Sequence, residues 1–155
     1  NRQLLLNSVI LMFLGYILLL WMTNALMYFH KMDLSYASVV SYYLGSEENF
    51  TQPKGYQSLL EVLHFHMFAM GLLVLTLTHL MLMTQLSVMV KVSLNAAIYL
   101  ATIMNEAASW LIVFVHPHFA YLKITSFIVL ELSLLALIIS VSVSLFYARR
   151  KMQNT

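Results

Sequence analysis

The sequence predicts an all-α integral membrane protein, a four-helix bundle with both termini cytoplasmic. Three observations carry that prediction. Hydrophobic residues make up 61% of the 155-residue chain and charged residues only 9%, against roughly 45–50% and 25% in soluble domains. The apolar residues fall into four runs, each long enough for the ~20 residues a helix needs to cross a bilayer. Both prolines and most of the charged residues fall outside those runs. The whole chain, residues 1–155, reads as a single transmembrane domain.

The first helix is expected over about 4–29, a run without charge whose polar members are Asn7, Ser8, Thr23 and Asn24. An outward loop, 30–55, follows. Its Gly45-Ser-Glu-Glu-Asn49 and Pro53-Lys-Gly55 stretches are turn and breaker signals. Within it, residues 34–44 are rich in Tyr, Ser and Val and read as an interfacial segment, a short helix lying on the bilayer. The second helix, about 56–83, carries Glu61, His64, His66 and His79. A turn at 84–87 leads to the third, about 88–115, with Asn95, Asn105 and Glu106. Pro117, between His116 and His118, breaks that helix. The fourth, about 120–147, has Glu131 near its middle and ends at Arg149, Arg150 and Lys151.

Orientation follows from Lys and Arg placement. Arg2, Lys91, Arg149, Arg150 and Lys151 fall on one side, and Lys31, Lys54 and Lys123 on the other. The first side is therefore cytoplasmic, and the long loop and the His116-Pro117-His118 corner face outward. A chain without cysteine excludes disulfides, thiolate metal sites and covalent c-type haem. A net charge of +2 without a basic patch gives no reason to propose nucleic acid.

Ionisable residues inside a membrane are costly and mark function by default. Glu61, Glu106 and Glu131 sit inside spans. Lys91 lies near a helix end, so no buried Lys or Arg is expected to pair them. Glu61, Glu106, Glu131 and Asn105 form the candidate proton or polar network, with neutral hydrogen bonding between helices as the bland alternative. At about 100° per residue, Gln57, Glu61, His64, Gly71 and Thr78 share one face of the second helix. Polar and small residues mark inward faces in membrane bundles, so His64 is expected inside and His66 on nearly the opposite face.

Five of the six histidines lie towards the outer membrane face. A b-type haem there needs two imidazoles from different helices at one depth, and His64 with His30 or His116 meets that test. Glu61-Val62-Leu63-His64 is also an E-x-x-H motif, whose two side chains share a helix face. Two such motifs with two further Glu build di-metal sites in four-helix bundles. The single copy here, with Glu106, gives a metal set of Glu61, His64 and Glu106.

The segments Glu61–Phe68 (EVLHFHMF) and Asn105–Trp110 (NEAASW), the His116-Pro-His-Phe-Ala-Tyr121 corner, Gly15-Tyr16 and Tyr28-Phe29-His30 together resemble a four-helix bacterial inner-membrane, cytochrome-associated family. Some of its members carry a C-x-x-C-H haem-c segment in the first outward loop, which this sequence lacks. The resemblance implies electron transfer near the outer face, with His30, His64 and His66 at matching positions. The expected function is a membrane electron-transfer subunit of the bacterial inner membrane, binding haem b through His30, His64, His66 and His116. Its partners are the lipid bilayer, other membrane subunits and a periplasmic cytochrome. An accessory scaffold subunit of a larger complex and a Glu/His metal-dependent membrane protein are the alternatives.

Overall fold

Apolar runs of this length become helices because lipid offers no partner for backbone N–H and C=O groups, and a helix satisfies them internally. The computed structural model describes residues 2–153, with side chains at every position except 3 and 148–153. The Arg149, Arg150 and Lys151 cluster used for orientation lies outside the described side chains. The elements are α1 (Arg2–Lys31), α2 (Tyr36–Leu44), α3 (Tyr56–Leu82), α4 (Val88–Phe114), a 3-10 turn (Pro117–Phe119) and α5 (Ala120–Gln153). Four of the helices are long and apolar enough to span a membrane. Four crossings return the chain to the side on which it began. No strand occurs among the described residues.

The helix ends follow local chemistry. The Ser87 hydroxyl caps α4 by accepting the Val90 N–H, which satisfies a donor that the first turn would leave open. In the tight α3–α4 turn, the Lys91 ammonium donates to the Leu82 carbonyl at 2.9 Å and to the Thr84 carbonyl at 2.8 Å. Lys91 thus closes the C-terminal end of α3 rather than facing the bundle interior. At the α4–α5 corner, Pro117 opens the 3-10 turn and the His116 ring accepts the His118 N–H.

The short helix α2 departs from the expected surface segment. Ser35 caps it by accepting the Ser38 N–H. Asp33 in turn accepts from the Ser35 hydroxyl at 2.6 Å and backbone N–H at 3.0 Å. These bonds hold the Asp33 carboxyl below the usual carboxylate range. The helix packs on α4 and α5, with Val39 fully buried and Tyr43 nearly so. It closes one end of the bundle because its Val/Tyr face is apolar enough to enter the core.

α5 contacts α1, α3 and α4 and is the central helix. The core divides into two apolar clusters. One, on the termini side, includes Leu14, Leu77, Ile98 and Leu137. The other, beneath α2, includes Tyr28, Val39, Leu59, Ile112 and Phe127. On α1, α3 and α4 the positions between these clusters carry the polar residues Asn24, His66, Asn105, Glu106 and Ser109, and on α5 Lys123 reaches them from within the second cluster, between Ala120 and Phe127. The bundle therefore has a polar layer between two greasy ones.

Candidate functional site

The inward register of each helix brings that polar layer together. On α5, Lys123 shares a face with Phe127, Leu130 and Leu134, four, seven and eleven residues on, all buried. Lys123 is itself only 6% exposed. This overturns the expectation that no Lys or Arg is buried among the spans. Lys123, counted with the outward-side charges, lies one turn inside the fourth span and is buried there, with its bonds made to a carbonyl and a hydroxyl rather than to a carboxylate. Its ammonium donates to the Asn105 backbone carbonyl at 2.9 Å and to the Ser109 hydroxyl at 3.0 Å. The Tyr43 hydroxyl, from α2, shares a 3.0 Å hydrogen bond with the same Ser109 oxygen. Burial pushes the Tyr43 phenol up to about 12.

One residue along α4 from Asn105, the buried Glu106 carboxylate lies 2.8 Å from His66 Nδ1. The His66 side chain is half exposed. Lys123, Ser109, Glu106 and His66 thus line one wall, with Tyr43 above them. An ammonium has three donors, and two are taken by Asn105 and Ser109. The Tyr28 hydroxyl and Asn105 Oδ1 are also buried without a hydrogen-bond partner.

Two cavities meet here. The outer one, about 120 Å³, is lined by Lys31, Tyr42, Tyr43, Lys54, Lys123 and Tyr28 among others. The deeper one, about 210 Å³, is mainly apolar, with Leu20, Trp21, Met70, Leu73, Leu130 and Leu134 in its wall. Asn24, Met27, His66, Asn105 and Glu106 line both. The join is thus a polar ring between a chamber carrying three lysines and a hydrocarbon-like chamber.

The other candidate residues are placed differently. His64 and Glu61 are exposed on the outside of α3, where Glu61 accepts from Gln57 Nε2 at 3.0 Å. The inward face of α3 is instead the line of Leu59, Val74, Leu77 and Met81, with Leu63, Met70 and Leu73 partly buried along it. Of the stripe expected to face inward, only Thr78 is buried. His66, expected opposite, is the α3 histidine that lines the cavities. The polar-stripe rule fails here because α3 meets its neighbours through an aliphatic seam. His30 is exposed at the end of α1, and His116 shares a 2.8 Å Nδ1–Nδ1 hydrogen bond with the exposed His118.

The metal set is separated in space. Glu106 faces in, Glu61 and His64 face out, and no group of three or more metal-ligating side chains forms among the described residues. The polar network divides as well. Asn105 contributes its backbone carbonyl beside Glu106. Glu131 sits in a second cluster, where Asn24 Nδ2 donates to its carboxylate and Trp21 Nε1 donates to its backbone carbonyl at 3.0 Å. Glu131 Oε2 has no hydrogen-bond partner. Sequence reasoning missed Lys123, Ser109 and Tyr43. The seven-residue step from Lys123 to Leu130 was the available signal for the first.

A family model described as a transmembrane helical domain matches residues 33–152, most of the chain. No curated protein and no solved structure matches the sequence.

Proposed function

This chain belongs to that transmembrane helical domain family, and from that premise we propose that it is an electron-transfer subunit of the bacterial inner membrane whose cleft receives the head group of a lipophilic redox carrier of the quinone class. One observation carries the reading. The buried Lys123 ammonium lines the lysine-bearing cavity, and the Glu106–His66 pair stands where that cavity adjoins a more apolar one. A quinone is an amphiphile with two acceptor oxygens and an isoprenoid tail. Lys123 offers a donor to one such oxygen, and Tyr28 a second. The apolar chamber suits the first units of the tail. Reduction to the quinol takes up two electrons and two protons. A periplasmic cytochrome and neighbouring membrane subunits supply the electrons in this reading. His66, joined to Glu106 and lining both cavities, is placed to pass protons.

The cavity volumes favour a small head group. Pockets for drug-sized ligands span roughly 300–1,000 Å³, and the two chambers, about 120 and 210 Å³, reach only the lower end together. A b-type haem is the second reading, favoured by the histidines near one membrane face. A haem with two axial imidazoles fits poorly within one chain, because His66 is the only histidine on either cavity wall.

Trp110 lines the outer cavity and Trp21 the deeper one, so binding is readable from tryptophan fluorescence. Titration of the purified protein with a short-chain benzoquinone is expected to give saturable quenching that Lys123→Met weakens at least tenfold. Quenching that never saturates, together with a Soret band lost in His66→Ala, sinks the quinone reading in favour of haem. Non-saturable quenching without a Soret band leaves the accessory-scaffold role.

A further inference from the structure

The outer face of α3 is built for protein, not lipid. Gln57, Glu61, His64, Phe68, Leu75 and His79 lie along one exposed face, within about 60° of the Glu61 direction at 100° per residue. Glu61 is about 7 Å and His64 about 12 Å from the start of the helix at its usual rise. A carboxyl and an imidazole at those depths face outward from the bundle, where the carboxyl has only the neighbouring Gln57 amide as a partner and lipid would offer neither group another. The exposed side of α1 provides the contrast. Met12, Tyr16, Leu19 and Leu26 are all exposed there, and the first apolar run holds no ionisable residue. That face is suited to lipid, and the α3 face is not.

Gly71 lies on the edge of the same face. A Cβ added there meets nothing within 4 Å. The missing side chain therefore serves no packing inside the chain, and it permits a close approach from outside, as small residues do between membrane helices.

We propose that a second copy of this chain docks on this face, α3 against α3, in a parallel twofold dimer. The charge pattern selects the occupant. A twofold interface joins a patch to itself, so the patch must be self-complementary. Glu61 and His64 are an acid and a base one turn apart. Across a twofold axis each Glu61 meets the His64 of the other copy, and both pairs form at once. Phe68 lies at the centre of the face, and His79 extends it about five turns beyond Glu61. The dimer stands independently of the ligand assigned above.

The chain has no cysteine, so a single introduced thiol reports one position. In membranes of cells expressing the full chain, mild oxidation of Phe68→Cys is expected to give a disulfide-linked species of twice the 17.8 kDa chain mass. Met12→Cys on the lipid face of α1 is expected to give none. On the Phe68→Cys background, Glu61→Leu with His64→Leu lowers the yield severalfold, and the exchange Glu61→His with His64→Glu restores it. Equal cross-linking from positions 12 and 68, with a monomeric mass for the unmodified protein by light scattering, overturns the proposal. A cross-link from position 68 to a different protein overturns it too and assigns the face to a hetero-oligomeric partner.

Discussion

Lys123 and Glu106 lie in the same polar layer and respond oppositely to removal. A buried ammonium costs several kcal/mol in desolvation, and Lys123 offsets it with bonds to a carbonyl and a hydroxyl rather than to a carboxylate. Lys123→Met is therefore expected to keep or raise the thermal midpoint in detergent while quinone binding is lost. Glu106→Leu instead deprives His66 of its acceptor and leaves the buried Lys123 without an acidic neighbour. That change is expected to cost about 1–3 kcal/mol, read from the same unfolding curves. If both variants lose equal stability, Lys123 is structural and the site reading fails. Tyr43 adds a pH signature. Its folded-state phenol titrates at about 12, against an ordinary 10.0. Above pH 10 the unfolded phenol ionises first, so stability fully present below 10 drains away between 10 and 12. Tyr43→Phe is expected to flatten that slope and to cost about 1 kcal/mol at neutral pH through the lost Ser109 bond. The glutamates were legible as candidates because any carboxyl in an apolar run stands out. Lys123 was not, because three residues after Ala120 it looks like a helix-end charge that reaches the surface until its register with Phe127 and Leu130 is followed.

At the scale of elements, the four spans were readable to within a few residues because lipid imposes both helix and minimum length. α2 was readable as a helix but not as part of the core. Its nine residues are too short for periodicity to show which side faces a partner, and the partner, the α4–α5 end, is distant in sequence. The face of α3 was misread for a related reason. A single helix reveals where its polar residues lie, but whether a neighbouring helix or another subunit covers them is a property of the assembly. The turn that ends α2 is the sharpest local constraint. Gly45 has φ of +83°, and a Cβ there collides with the Thr51 carbonyl oxygen. Gly45→Ala must therefore displace backbone as well as strain φ. We expect it to cost about 1–3 kcal/mol and to loosen α2. The measurement is amide hydrogen exchange across residues 36–44. Protection unchanged from wild type means that the turn does not hold the helix.

At the scale of the whole molecule, orientation rests on the charge count. Lys123 is one turn into α5 as Lys91 is one turn into α4, so each counts with its own end of the bundle. The α2 end carries Lys31, Lys54 and Lys123, and the opposite end Arg2, Lys91, Arg149, Arg150 and Lys151. Five against three predicts that the α2 end, with its lysine-lined cavity, faces away from the cytoplasm. The three lysines lining that cavity, Lys31, Lys54 and Lys123, favour electron-rich head groups in it. Phe50, 94% exposed in the turn after α2, and Met83, exposed at the α3–α4 turn, then lie on opposite sides of the membrane. In intact spheroplasts, a membrane-impermeant maleimide is expected to label Phe50→Cys at once and Met83→Cys only after lysis. The reverse order inverts the bundle. It also turns the cavity towards the cytoplasm, which separates His66 from any periplasmic electron donor.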